Sequence, residues 1–183
     1  MYIAVYCSSS DKIAEKYRKI AFELGTWIAA NGHTLVYGGA TGGLMDSVSD
    51  GALAGSGKII GVIPHAVMRM GRIADKSMRL LVVQTMSERK MMMKSLADVF
   101  VVLPGGFGTL DEAFDIIASA TVGEHHKPLI LLNINNFYKN LVAQFDHCRT
   151  ENCIPFEENY KPFIVNSLEE CTTMLMSIYN STV

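Results

Sequence analysis

Val99-Phe100-Val101-Val102-Leu103-Pro104-Gly105-Gly106-Phe107-Gly108-Thr109 joins an unbroken apolar run to a glycine turn, and a helix-spaced segment from Thr109 to Val122 follows. Five apolar residues without polar alternation form a strand buried on both faces, as in a parallel sheet. The same order recurs on either side. Upstream, Tyr2 to Cys7 is a short apolar run, and Ile13, Tyr17, Ile20, Leu24, Trp27 and Ile28 then repeat at helical spacing until Asn31-Gly32. Leu35 to Tyr37 and Ile59 to Ile63 read as strands around a helix at Leu44 to Ala54, and Leu80 to Val83 is a strand before a helix at Ser87 to Ala97. Downstream come a strand at Leu129 to Leu132, a helix at Phe137 to Cys148, a strand at Phe163 to Val165 and a helix at Leu168 to Tyr179. His65 to Lys76 has no clear periodicity and reads as an irregular loop, a candidate lid. Strands alternating with helices of ten or more residues are βαβ units, so the fold class is α/β: a doubly wound, Rossmann-like parallel sheet with helices on both faces. Residues 1–183 are expected to form a single domain.

With 49% apolar and 19% charged residues, the chain has the composition of a folded core. The net charge of −2 and the scattered Lys and Arg provide no electrostatic footprint for a nucleic acid or an anionic membrane. An anionic ligand must therefore be small and held locally. Cys7, Cys148, Cys153 and Cys171 form no CxxC pair and read as reduced thiols. The start has no signal-peptide pattern and no apolar run is long enough to span a bilayer, so a cytoplasmic protein is expected.

In an open α/β sheet, ligands bind outside the carboxyl ends of the strands. Three candidate walls meet there: Cys7-Ser8-Ser9-Ser10, Gly38-Gly39-Ala40-Thr41-Gly42-Gly43 and the turn Gly105 to Thr109. Glycines before a helix let a ligand approach the backbone, and the unpaired N–H groups of the helix start favour phosphate. Glu112 has two readings. Thr109 as N-cap with Glu112 three residues on is a capping box, whereas a carboxylate beside a phosphate seat can also face a bound sugar. Ser87-Glu88-Arg89-Lys90 reads equally as a solvated charge run.

Several chemistries are excluded. The Gly38–Gly43 cluster follows the second strand and has no acidic residue placed for a ribose 2′-OH, which argues against a nicotinamide cofactor. Gly55-Ser56-Gly57-Lys58 precedes a strand, not a helix, and reads as a surface turn. The five histidines and four cysteines have no zinc-ligand spacing, and no G-x-S-x-G elbow exists.

Taken together, Tyr37-Gly38-Gly39 with Gly43-Leu44-Met45, Met86-Ser87-Glu88-Arg89-Lys90, Pro104-Gly105-Gly106-Phe107-Gly108-Thr109-Leu110-Asp111-Glu112 and His126-Lys127-Pro128 resemble the Lonely Guy family over roughly residues 2–150. These are cytokinin riboside 5′-monophosphate phosphoribohydrolases, long mislabelled lysine decarboxylases. Molybdenum-cofactor carrier proteins resemble the glycine motif alone, and a non-catalytic carrier of a phosphorylated cofactor is the alternative. The resemblance implies hydrolysis of the N-glycosidic bond of a purine nucleoside 5′-monophosphate, with Arg89 and Glu112 as the catalytic pair. It puts Ser8, Gly39, Met86, Lys90, Gly105, Gly106, Gly108, Thr109 and Asp111 at the nucleotide, and implies a homodimer that needs neither metal nor organic cofactor. Two departures bear on the base: Ser119 and Thr121 stand where many members have Trp and Gln, and Ala40 interrupts the family's Gly-Gly-Gly. AMP or an N6-modified analogue is the expected substrate. Lysine decarboxylation lacks a pyridoxal site, because Lys90, Lys94 and Lys127 have no recognisable partner for a pyridinium nitrogen.

Overall fold

The computed structural model describes residues 1–74, 78–154 and 160–182. Seven parallel strands form one sheet in the order β4-β3-β2-β1-β5-β6-β7: β1 Tyr2–Tyr6, β2 Thr34–Tyr37, β3 Lys58–Pro64, β4 Arg79–Val83, β5 Val99–Val102, β6 Leu129–Leu132 and β7 Phe163–Val165. The helices are α1 Glu15–Ala30, α2 Gly43–Ala54, α3 His65–Arg69, α4 Met86–Leu96, α5 Phe107–Thr121, α6 Lys139–Thr150 and α7 Leu168–Thr182. The doubly wound reading holds. Winding proceeds outward from β1 to β4, then restarts beside β1 at β5, so the topological switch point lies between β1 and β5.

Alternation along the strands divides the core. Ile3, Val5, Leu35, Val99 and Val101 face α1, α2 and α7, where Leu24, Ile28, Leu44, Val48 and Leu175 are buried. Ala4, Tyr6, Val36, Phe100 and Val102 face the other layer, with Met93 of α4 and Ala113 and Ile116 of α5. Both faces of the central strands are apolar because both are covered.

Helices α1 and α2 cross at backbone contact. A Cβ on Gly25 would run into the Val48 carbonyl and lie 2.8 Å from the Ala52 nitrogen; one on Gly51 would run into the Phe22 carbonyl. Thr26 Oγ1 reinforces the crossing by donating to the Gly51 carbonyl at 3.2 Å. The glycine pair had no signal in the hydrophobic periodicity, because it sets the spacing between helices, not the face of either.

Two local expectations are corrected. The irregular loop over His65 to Lys76 contains the short helix α3, whose five residues are too few to show a period; Asp75 and Lys76 lie outside the described residues. The helix read as starting at Phe137 starts at Lys139, after a 3-10 turn at Ile134–Asn136 in which Asn135 and Asn136 have positive φ. Residues 55–57 are the turn between α2 and β3, as read, and Lys58 already opens the strand.

A valine at position 51 must push the two helices apart. Gly51→Val is expected to lower the unfolding free energy by about 3 kcal/mol, read as a fall in the urea midpoint at unchanged slope; an unmoved midpoint would contradict the backbone contact.

Candidate active site

The sheet's switch point opens into a cavity of about 530 Å³. The segment after β1 supplies Cys7, Ser8, Ser9 and Ser10; the segment after β2 supplies Gly38 and Ala40; the turn after β5 supplies Gly106, Gly108 and Thr109. The loops hold one another: the Ser8 amide donates to the Pro104 carbonyl at 3.1 Å, and the Leu44 amide to the Ser8 carbonyl at 2.8 Å. Burial pushes the Cys7 thiol up, so it lines the floor as a small neutral group.

At the cavity wall, Arg89 Nη1 donates to Glu112 Oε1. Both side chains are almost wholly buried, at 7% and 4% exposure. Arg89 sits in the first turns of α4, whose N-cap Thr85 accepts from the Glu88 amide at 3.1 Å while Glu88 accepts the Gln84 amide at 2.8 Å. That capping leaves residue 89 on the inward face. Its Nε donates to the Val62 carbonyl at 3.1 Å, and Gly38 makes room, since a Cβ there would collide with the guanidinium. Burial raises the Glu112 carboxyl above its ordinary value, and the Arg89 charge opposes the rise.

The capping-box reading of Glu112 fails on register. Helix α5 begins at Phe107 with Gly106 as N-cap and no side-chain cap, so Thr109 is its third residue and Glu112 lies beyond reach of the first amides. The solvated-run reading of residues 87–90 holds for Ser87, which is exposed, only in part for the half-buried Glu88 and Lys90, and not for Arg89, which is buried.

Of the other residues named from sequence, Ser8, Met86, Gly106, Gly108 and Thr109 line the cavity with Arg89 and Glu112; Gly39, Lys90, Gly105 and Asp111 do not. Gly39, at φ +67°, is where the backbone passes within 3.2 Å of Gly61, measured to a Cβ it cannot carry. Gly105 gives its Cβ space to the Thr109 side chain. Lys90 Nζ lies 3.0 Å from Asp111 Oδ1 and 3.3 Å from Asp115 Oδ1, on the surface between α4 and α5. Its pKa is raised, first by the Asp111 hydrogen bond. Ser119 turns its hydroxyl back to the Asp115 carbonyl at 2.8 Å, and neither it nor Thr121 lines the cavity.

The sequence reading missed one wall. Val67, Met70 and Arg72, from the connection between β3 and β4, also line the cavity. An antiparallel bridge between Ala40 and Ile73 fixes that connection, as does the Thr41 amide, which donates to the Arg72 carbonyl at 3.1 Å. No local pattern could have found these residues, because a bridge between residues 33 apart in sequence leaves no periodicity.

Two helix N-termini face the crevice, and they differ. At α2 the amides are taken: Gly42 donates to Asp46 Oδ2 at 2.7 Å, Gly43 to Asp11 Oδ1 at 3.0 Å and Leu44 to Ser8. At α5 the amides of Phe107, Gly108 and Thr109 meet no acceptor among the described residues, and nothing lies within 4 Å of a Cβ placed on Gly106 or Gly108. An open helix start with bare backbone is a seat for an anion. No group of three or more metal-ligating side chains occurs among the described residues.

Fold and site together define a Rossmann-like α/β protein with one crevice at its switch point, an open anion seat and a buried Arg–Glu pair. The sequence model of a family described as "Possible lysine decarboxylase" matches residues 45–175. A probable cytokinin riboside 5′-monophosphate phosphoribohydrolase of Oryza sativa subsp. japonica is 38% identical over 175 residues, 92% of this chain and 77% of the relative. The cytokinin riboside 5′-monophosphate phosphoribohydrolase of Rhodococcoides fascians is 33% identical over 176 residues, 96% of this chain and 89% of the relative. Among solved structures, the molybdenum cofactor binding protein from Rippkaea orientalis superposes with a TM-score of 0.74 at 26% identity, covering 97% of this chain and 96% of that one. The Moco carrier protein from Chlamydomonas reinhardtii, at 23% identity and a TM-score of 0.73 over 98% of both chains, shares the fold. The chain belongs to the lysine-decarboxylase-like family that contains the cytokinin riboside 5′-monophosphate phosphoribohydrolases.

Gly108 has no packing need to be glycine, and it lies within helix α5. Gly108→Ala is expected to raise stability by about 0.5–1 kcal/mol through helix propensity while weakening ribose 5-phosphate binding at least tenfold. Melting temperature and calorimetry on the same variant check both signs; unaltered binding would show that the bare backbone serves no ligand.

Proposed function

We propose that this chain hydrolyses the N-glycosidic bond of purine nucleoside 5′-monophosphates, AMP or an N6-modified analogue, to free base and ribose 5-phosphate. Its membership of the phosphoribohydrolase family supports the reaction class. The single observation that carries the assignment to a site is the buried Arg89–Glu112 pair facing the cavity beside the open α5 amides.

The chemistry follows from the residue types. With phosphate on the amides of Phe107, Gly108 and Thr109, binding energy far from the scissile bond orients the sugar. Breaking C1′–N9 leaves the bonding pair on the purine and develops positive charge on the ribose ring. The ionised Glu112 carboxylate stabilises that charge and orients a water, whose oxygen joins C1′ and whose proton ends on the departing base. Arg89 holds Glu112 ionised against its burial and fixes the carboxylate at the cavity wall. Lys90 and Asp111 support the pair from the surface by tying α4 to α5. Ala40 narrows the cavity by one methyl group where the resembled motif has glycine. The reaction draws on no metal or organic cofactor.

A carrier of a phosphorylated cofactor is the competing reading, favoured by the likeness to the Rippkaea orientalis protein. Free base released from a panel of 5′-monophosphates supports the hydrolase; tight ligand retention without turnover supports the carrier. Because burial raises Glu112, its protonated form persists to higher pH than that of an ordinary glutamate, so the acid limb of kcat/KM for AMP is expected above pH 4.5. Glu112→Gln is expected to lower kcat by about 10²–10⁴-fold and abolish that limb, with the fold intact by circular dichroism. A limb that survives the substitution belongs to another group.

The homodimer is part of this reading. Phe107, 94% exposed, and Met91, 60% exposed, stand on the two helices that carry the Arg–Glu pair, where a second copy would cover them. Light scattering is expected to give twice the chain mass, and Phe107→Glu to reduce it to the monomer; a monomeric wild type would remove the dimer from the proposal.

A further inference from the structure

We propose that Arg72 is the residue that makes the site selective for a phosphorylated substrate, by supplying the counter-charge for the 5′-phosphate. The inference rests on the nucleotide-hydrolase reading above and adds to it a residue that no motif marks. Its starting point is a charge count. A phosphate monoester carries about −1.5 to −2 charges at pH 7, whereas an open helix start supplies roughly +0.5. At least one further positive charge is needed at the seat.

The cavity offers few sources. Among the described residues lining it, two are cationic, Arg72 and Arg89. Arg89 is neutralised by Glu112, and its remaining geometry is fixed by Val62 and Gly38. Lys90 lies outside the lining and is tied to Asp111 and Asp115. Arg72 has no carboxylate partner among the described residues. Its Nη2 donates to the Ser9 carbonyl at 2.9 Å and its Nη1 approaches Ser9 Oγ at 3.4 Å, and among the described residues its other guanidinium hydrogens meet no acceptor.

Position agrees with charge. The guanidinium rests against Gly42, where a Cβ would lie 2.9 Å from Nη2, and it grips the serine loop at Ser9. One residue earlier, the Ser8 amide is bonded to Pro104, which opens the glycine turn into α5. Arg72 therefore reaches the same loop that abuts the anion seat. The bridge between Ala40 and Ile73 holds the backbone of its neighbour, so the arginine is delivered from a fixed edge. A guanidinium suits the task because it stays charged and can donate two parallel hydrogen bonds to phosphate oxygens.

The test compares wild type with Arg72→Gln and Arg72→Lys on AMP and adenosine, and titrates each protein with ribose 5-phosphate by calorimetry. The ratio of kcat/KM for AMP to that for adenosine is expected to fall about 10- to 100-fold in Arg72→Gln, the size of one charge-assisted hydrogen bond. The loss should lie in KM, and Arg72→Lys should recover part of it. Ribose 5-phosphate affinity should fall in step. An unchanged ratio overturns the proposal, and so does an equal loss on both substrates, which marks a residue that merely holds Ser9. Where adenosine turnover is below detection, KM for AMP and ribose 5-phosphate affinity decide in the same sense. Should the wild type release base from no 5′-monophosphate, the hydrolase reading fails on its own. Calorimetry then judges Arg72: a tenfold loss in Arg72→Gln supports it, while equal affinity, or no binding by the wild type, overturns it.

Discussion

Glu112 is a carboxylate buried at the end of a sheet, a position that costs several kcal/mol unless a cation compensates it. Arg89 is that cation, and the rest of the site follows from bringing the two together. They come from different helices, α4 and α5, so the pair forms only when both pack on the same face of the sheet. Their neighbours in sequence repeat the pairing in water: Lys90 meets Asp111 and Asp115, and Lys94 meets Asp115 and Glu124. Exposed ion pairs contribute little stability singly. Their value here is geometric, since three of these contacts join α4 to α5, with Glu124 just past the end of α5, and oppose the sliding that would separate Arg89 from Glu112.

The sheet decides where this pair meets a ligand. Strand order reverses between β1 and β5, so the loops leaving those strands diverge and leave a crevice that no crossover fills. Two helix starts face the crevice, α2 after β2 and α5 after β5, but the protein spends its own carboxylates on only one of them. Asp46 and Asp11 occupy the α2 amides, which fixes that loop as structure. The α5 amides stay open. This asymmetry gives the crevice one helix start with open amides, at α5, alongside apolar lining from Met86, Met45 and Val67.

Strands, helices and their alternation were legible in the sequence because both halves of the sheet obey one rule, apolar runs for strands buried on two faces and helical spacing for their covers. Arg89 and Glu112 were legible only through resemblance. Spacing alone left Glu112 between a cap and a site, since a capping box depends on the first helical residue, and that start lies two residues before the expected Thr109. The Gly25–Gly51 crossing was not legible at all, and Arg72, Val67 and Met70 only as part of a segment, His65 to Lys76, read as an irregular loop and candidate lid. Each arises from segments distant in sequence meeting at a point, and a single contact has no period to read.

Glycine shows how far residue type alone can mislead. Gly25 and Gly51 are bare because two helix backbones touch; Gly38 and Gly105 are bare because the Arg89 and Thr109 side chains occupy the space of a Cβ. In all four the reason is present within the protein. Gly106 and Gly108 have no such reason: their missing side chains would project into empty space, and neither has a positive φ. At Gly108, inside the helix, almost any other residue would add stability, whereas Gly106 is the N-cap, where glycine is itself favoured. The open space must therefore be required by something that enters it, and what stands around that space is unpaired N–H groups, a neutralised Arg–Glu pair and the guanidinium of Arg72. Those surroundings suit a small anion at one end and a charge-developing carbon at the other, which is the polarity of a nucleotide about to lose its base.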